Sequence, residues 1–418
     1  MGDKLARRSY LRLLGSTLGF ALVACAAGVA ATPAGPTPAA EVSAPPAVRP
    51  SAPPATQPTT GTSSETPALA EARFSRSGWK TDFSRHTVPL SEIQSGGPPR
   101  DGIPPIDQPT FVAPDVASAW LTDPEPVVVY EESGDARAYP LQILIWHEIV
   151  NDSVGGRPVA ITFCPLCNTA IAFDRRLDGV TYDFGTTGNL RNSDLVMWDR
   201  QTESWWQQIT GEAIVGQLAG ARLVPVPASI TSFAEFKAAF PSGRVLSRET
   251  GYDRSYGRNP YLGYDDVDSS PFLFSGQSDG RLRPMERVVT VALGGEAAAY
   301  PFSQLESRGA VHDTVGGMPI VVLFRKGTAS ALDASSIAAS RDIGAAGVFE
   351  PTLDGRPLTF RSEAGRLVDV ETGSEWNTLG QATSGPLAGR RLPPIVHANH
   401  FWFAMAAFYP DVRIWQPE

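Results

Sequence analysis

The stretch His147-Glu148-Ile149-Val150-Asn151-Asp152-Ser153-Val154-Gly155-Gly156-Arg157-Pro158-Val159-Ala160-Ile161-Thr162-Phe163-Cys164 reads as two β-type runs joined by a Gly-Gly turn. Two consecutive glycines supply the positive φ that both central positions of a tight hairpin need. The turn pairs Val154 with Arg157. Continuing that register outward places His147 opposite Cys164, where facing side chains lie about 5 Å apart. Cys164 opens the run Cys164-Pro165-Leu166-Cys167. Two thiols and an imidazole are thus expected to share one end of a hairpin.

The residues around this hairpin continue the β pattern. Thr169-Ala170-Ile171-Ala172-Phe173 alternates toward Asp178-Gly179, a second hairpin signal, and Val180 to Phe184 returns. Leu195-Val196-Met197-Trp198 is a further short strand. Ser232 followed by Glu235 forms a capping box before Phe236–Phe240, with Pro241 and Gly243 as stops. A second helix is expected over about Asn399 to Phe408.

The same signals occur twice. Ala138-Tyr139-Pro140 recurs as Ala299-Tyr300-Pro301, and Asp152, Val154-Gly155-Gly156 and Pro158 recur as Asp313, Val315-Gly316-Gly317 and Pro319. Thr202, Ser204 and Trp206 recur as Thr372, Ser374 and Trp376, and Leu218-Ala219-Gly220 as Leu387-Ala388-Gly389. The order is kept throughout, as in a repeat. The fold expected is mainly β (α+β): two homologous β-rich domains from an internal duplication, each with a helix near its end. The first repeat would cover residues 105–250 and the second, degenerate one 281–418. Residues 251–280 form a bridge rich in Tyr and Gly, expected to pack as an ordered loop. In the second repeat the hairpin register puts Arg308, Arg325 and Thr328 where the first has His147, Cys164 and Cys167. Facing arginines cannot bind a cation, so the scaffold itself does not require the Cys-Cys-His set.

The chain ahead of these repeats reads as an address and a tether. Arg7-Arg8-Ser9-Tyr10-Leu11-Arg12 resembles a twin-arginine export signal, and Leu22-Val23-Ala24-Cys25 a lipobox that would leave a lipid on Cys25. Residues 1–25 would be the signal peptide. Residues 26–104 would be a Pro/Ala-rich tether and an irregular lead-in; as far as about Ala70 the tether contains no aromatic residue and cannot bury a core. The protein is therefore expected outside the cytoplasm, anchored by its lipid to a bacterial membrane, in the periplasm or at the cell surface. The net charge is −9; residues 1–25 hold four basic groups and one acid, leaving about −12 on the rest. That balance excludes nucleic acid as a partner, since it rewards basic patches. No protein partner can be named.

Of the 3 cysteines, lipidation of Cys25 would leave Cys164 and Cys167 as the remaining thiols. Three readings follow. In the first, Cys164-Pro165-Leu166-Cys167-Asn168 is a metal knuckle in which Asn168 takes the left-handed position usually held by glycine. Its backbone amides would then point at the sulfurs, and His147 would be the third ligand. Two thiolates and an imidazole suit zinc or copper, for delivery or redox chemistry. In the second, the pair is the couple of a thiol–disulfide oxidoreductase, although a strand rather than a long helix follows the motif. In the third, the cysteines form a structural disulfide in a non-catalytic ligand-binding lipoprotein.

Other residues are candidates of lower rank. His397 and His400 stand at helical i, i+3 spacing and could add a ligand, as could the soft thioether of Met197; a helix-start face and core packing are their plainer readings. Asp194, Asp199, Arg200 and Glu203 crowd one segment and could form a polar or cation site, or a charged hairpin turn. Arg254 and Arg258 could clamp an anion or staple the bridge. No phosphate loop, serine elbow or zinc-protease helix is present.

Four segments carry a resemblance to a known family: Trp146–Asp152, Phe163–Ala170, Asn192–Val196 and Asp199–Ser204. They resemble domain-of-unknown-function family 3179, most closely over the first repeat and the bridge through Tyr264. The resemblance implies no reaction. Asn168 departs from it, standing where glycine is expected.

Overall fold

The computed structural model describes residues 73–417. The export motif, the lipobox with Cys25 and most of the tether lie outside the described residues. The described chain is mainly β, built from several sheets and short helices.

Strands β1 (Pro126–Glu132) and β2 (Asp135–Pro140) form a hairpin, followed directly by helix α1 (Leu141–His147). Pro140 suits the helix start because its fixed φ and missing N–H cost nothing there. Five of the seven residues of α1 are buried apolar or amide side chains, from Leu141 to Ile145, so the helix is an inner element. The chain then forms β3 (Ile149–Val154) and β4 (Arg157–Cys164), paired from Val154↔Arg157 to Ile149↔Thr162 as the Gly-Gly turn predicts. After the Cys-Pro-Leu-Cys turn, β5 (Thr169–Asp174) pairs back on β4. Next, β6 (Phe184–Arg191) and β7 (Asp194–Asp199) make the centre of a five-stranded sheet. Helix α2 (Phe233–Ala239) begins at Ser232, whose side chain accepts from the Glu235 amide, as the capping box requires.

A similar order of elements follows. Strands β8 (Arg287–Leu293) and β9 (Glu296–Pro301) lead into helix α3 (Phe302–Arg308). Then come β10 (Ala310–Val315), β11 (Met318–Arg325) and β12 (Ala345–Phe349), paired in that order. Strands β13 (Phe360–Glu363) and β14 (Arg366–Asp369) form the next hairpin, and β15 (His397–Phe401) pairs with β8 ahead of helix α4 (Trp402–Phe408). Individual contacts recur as well. The Tyr139 hydroxyl donates to Asp152 at 2.6 Å and the Tyr300 hydroxyl to Asp313 at 2.7 Å. The indoles of Trp206 and Trp376 donate to Asp199 and Asp369, each at 2.9 Å.

The largest apolar core draws on both halves of the chain. Phe163, Cys164, Cys167 and Trp206 share it with Leu332, Phe401, Phe403 and Ala404. The bridge packs over it: Tyr256, Tyr261 and Tyr264 are half-buried against this core, while Tyr252 stays out. Among the described residues, no helix is long and apolar enough to cross a membrane.

Three local expectations are corrected. His147 does not extend the hairpin strand; it is the last residue of α1, and pairing begins at Ile149. The buried run Leu141–Ile145 is the cause, because it fills a helix-sized space that the strand reading overlooked. His397 and His400 lie on a strand, β15, and the helix starts at Trp402 rather than Asn399. Val180–Thr181 pairs with Arg176–Leu177 in a short hairpin of its own, and Phe184 opens a new strand.

Candidate functional site

The turn after β4 positions the two thiols. Asn168 adopts φ +52°, and its amide donates to Pro165 O at 3.2 Å, closing the turn. The Cys164 thiol donates to Ser193 O at 3.7 Å. The Phe401 amide, arriving from β15, donates to Cys167 O at 2.9 Å and ties the knuckle to the second half. Both cysteines are free and fully enclosed, at 1% and 0% exposure.

The third member of the cluster is Asp194, the first residue of β7. Its carboxyl is fully buried, and Cys167 Sγ donates to Asp194 Oδ1 over 3.0 Å. The other oxygen, Oδ2, accepts from Gln207 Nε2 at 2.5 Å and from the Ile209 amide at 3.0 Å. These bonds fix the carboxyl and leave Oδ1 turned to the sulfur. One ligating atom from each of Cys164, Cys167 and Asp194 lies within 4.8 Å of the others. A tetrahedral zinc with Zn–S bonds of about 2.3 Å separates its sulfur ligands by roughly 3.8 Å, so the cluster has the right scale.

The site holds buried acids, with no cation among the described residues in hydrogen-bond contact with the Asp194 carboxyl. Burial pushes the Asp194 carboxyl up to about 6, against the opposing bonds from Cys167, Ile209 and Gln207. Burial pushes the Cys164 thiol up, and pushes Cys167 well above the ordinary range with help from Cys164 and Asp194. Glu148, 7% exposed, is pushed up to about 8 by burial and then by Asp194. The cation that lowers Asp194 is Arg191, which is itself paired with Glu92 at 2.7 Å. With neutral thiols the cluster holds protons. A cation of high charge and some softness would take their place.

His147 is directed elsewhere. Its Nδ1–H donates to Pro104 O at 2.7 Å, and Nε2 accepts from the Tyr256 hydroxyl at 2.6 Å. Both ring nitrogens are engaged in a neutral imidazole, whose pKa burial lowers to about 4. His400 pairs Nδ1 with the Thr169 hydroxyl at 2.7 Å, and that hydroxyl donates to Cys167 O at 3.2 Å. His397 is held by Ile395 O and Ser229. Met197 is buried in the apolar core, opposite Thr186 and Trp206 in the sheet.

The charged segment divides in two. Asp194 joins the cysteines at one end of β7. Asp199, at the other end, accepts from the Thr202 amide and hydroxyl and from the Trp206 indole. Arg200 pairs with Asp107 at 2.9 Å, and Glu203 with Arg100 at 3.3 Å, as a charged turn. Arg254 lies close enough to lower the His147 pKa. Arg258 is exposed and bridges through its backbone to Ser336. These two do not come together with the cysteine cluster.

Asp194 was legible only as one acid among several. Its pairing with Cys167 depends on a β6–β7 turn that the hairpin register does not fix. Glu148 carried no signal of its own. The sequence cue for it is the glycine at the matching place in the second half, Gly309.

The model of the family described as "Protein of unknown function (DUF3179)" matches residues 100–412, most of the chain. The chain belongs to this family. The match takes in both halves and the bridge, and so includes the whole Cys164, Cys167 and Asp194 cluster. No curated protein and no solved structure matches. The family carries no assigned reaction, so the site chemistry has to be argued from the cluster itself.

Proposed function

We propose that this DUF3179 protein binds one transition-metal ion, zinc in preference to copper, through Cys164, Cys167 and Asp194. The observation that carries this reading is the approach of Cys167 Sγ and Asp194 Oδ1 to 3.0 Å in a fully buried cluster with Cys164. Two thiolates and a carboxylate supply three negative charges, and a divalent ion removes the cost of burying them. Thiolate ligands suit both Cu(I) and Zn²⁺; the carboxylate tips the set toward Zn²⁺.

The thiol–disulfide alternative is weaker on physical grounds. A reactive thiol needs its thiolate stabilised by a cation or a helix N-terminus, and it needs access. Here both thiols are shifted toward the protonated form, both are enclosed, and a strand follows them.

We also propose that the chain is exported and lipid-anchored through Cys25, and that its two halves descend from a duplication in which the second lost the site. Arg325 stands at the Cys164 position and pairs with Glu235 at 3.0 Å, and the register that matches Asp199 to Asp369 puts Ala364 at the Asp194 position. Titration with Co²⁺ under reducing conditions tests the metal reading. A sulfur-to-metal charge-transfer band that saturates with the ion, and is absent in Cys164→Ser and Cys167→Ser, supports it. Absence of the band in the wild type counts against it.

A further inference from the structure

The two halves differ in what covers one sheet edge. In the first half the segment Pro104–Asp107 lies along β3. The Ile106 amide donates to Ile149 O, and Ile106 O accepts from the Asn151 amide, each at 2.9 Å, as a short parallel strand addition. The Ile106 side chain is 2% exposed. Two side chains hold the segment on either side of it. His147 Nδ1–H donates to Pro104 O, and Asn151 Nδ2 donates to Asp107 Oδ1, both at 2.7 Å.

The Gly-Gly turns match β10 to β3, so Arg308, Ala310 and His312 stand where His147, Ile149 and Asn151 stand in the first half. The Phe324 amide donates to Gly309 O as the Phe163 amide donates to Glu148 O. The ladder therefore alternates in the same phase, and Ala310 O and the His312 amide point away from β11. Among the described residues no strand pairs with this edge, and no backbone group bonds to either atom. His312 also repeats a side-chain contact: its Nε2 accepts from the Phe360 amide at 2.8 Å, as Asn151 Oδ1 accepts from the Phe184 amide at 3.0 Å. The proton of the neutral ring is then on Nδ1, the counterpart of Asn151 Nδ2.

Part of the cover is already supplied. Trp415 stands 6.5 Å from Tyr300 between ring centroids, as Phe111 stands 5.9 Å from Tyr139. The place of Ile106 stays open, as a groove of about 610 Å³ lined by Arg308, Ala310, His312, Arg413 and Trp415. The acid in its lining, Asp313, is bonded to Arg413 and Tyr300, so the exposed Arg308 leaves the groove basic.

We propose that this groove binds an extended segment of a partner protein by strand addition, parallel to β10, with an aliphatic residue in the place of Ile106 followed directly by Asp or Glu. The aliphatic residue exchanges backbone bonds with Ala310 and His312, whose free edge is a template for a further strand. Its acid accepts from His312 Nδ1–H, and Arg308 takes the carbonyl two residues ahead. The inference does not depend on the metal reading.

Fluorescence anisotropy of a labelled peptide, Gly102–Thr110 of this chain, tests the groove on the full chain, because that peptide carries the segment the first half holds. Saturable binding with Kd below about 1 mM is expected. Arg308→Glu in the protein, and Asp107→Lys or N-methylation of Ile106 in the peptide, are each expected to weaken it at least about 5-fold. The two peptide changes decide the matter if Arg308→Glu folds poorly. Absence of saturable binding overturns the proposal. So does binding that these changes leave intact, which places the peptide elsewhere on the protein. Self-association of the chain that the peptide dissolves overturns the partner reading and makes a second copy the occupant.

Discussion

Cys167 Sγ and Asp194 Oδ1 lie 3.0 Å apart, although 27 residues separate them in sequence. The contact joins the turn after β4 to the start of β7, and so links two different sheets. Asp194→Asn preserves the bonds from Gln207 and Ile209 poorly and removes one negative donor. It is expected to weaken Zn²⁺ binding by at least about 10-fold while the protein stays folded, as read by chelator competition and circular dichroism.

His147 is expected to be structural. His147→Gln should leave the metal content unchanged, because both ring nitrogens are already bonded to Pro104 and Tyr256. It should cost about 1–3 kcal/mol of stability through the buried partners left unpaired. The folded pKa of His147 lies below its unfolded value, so its contribution is complete above about 6.5 and is lost as the pH falls toward about 4. Urea unfolding across that interval should show a smaller acid loss in the variant.

Metal binding should strengthen with pH. Asp194 and Glu148 titrate near 6 and 8 in the folded protein, above their unfolded values. Between about 4 and 8 the folded metal-free state therefore holds protons that the unfolded chain has released, and its stability falls as the pH rises. A metal held by Asp194 and the two thiols displaces their protons, so the rise in melting temperature on adding Zn²⁺ should grow from about pH 5.5 to pH 8. An increment independent of pH would show that these acids are not displaced.

The two Tyr–Asp pairs should differ in weight. Asp152 accepts from Tyr139 and takes both oxygens to Arg137, at 2.6 and 2.7 Å, with both side chains buried. Asp313 accepts from Tyr300 and pairs with the more exposed Arg413 at 3.0 Å. Asp152→Ala leaves the buried Tyr139 hydroxyl without its acceptor and Arg137 with Asp135 as its remaining carboxylate, and is expected to cost about 1–3 kcal/mol; Asp313→Ala should cost less. Chemical denaturation of the two variants gives the comparison.

Much of the scaffold was legible because glycine pairs and caps act locally. Gly155-Gly156 set the register of β3 and β4, Ser232 with Glu235 set the start of α2, and Asn168 took the left-handed place in the knuckle. Helix α1 was not legible, since its buried residues from Leu141 to Ile145 lack a polar face that would mark a helical period. Missing it carried His147 into the site by one strand step too many. Asp194 reached the site through a long-range contact that no local pattern encodes. Cys164, Cys167 and Asp194 lie together in the first half, while Arg308 and Arg325 stand at the corresponding hairpin positions of the second.

The most direct test of the central claim is the metal content of the folded protein purified without chelator under reducing conditions, measured by elemental analysis. The account predicts about one zinc per chain in the wild type and in His147→Gln, and none in Cys164→Ser or Cys167→Ser. A wild type that carries no metal and takes up neither Zn²⁺ nor Cu(I) when offered would contradict it.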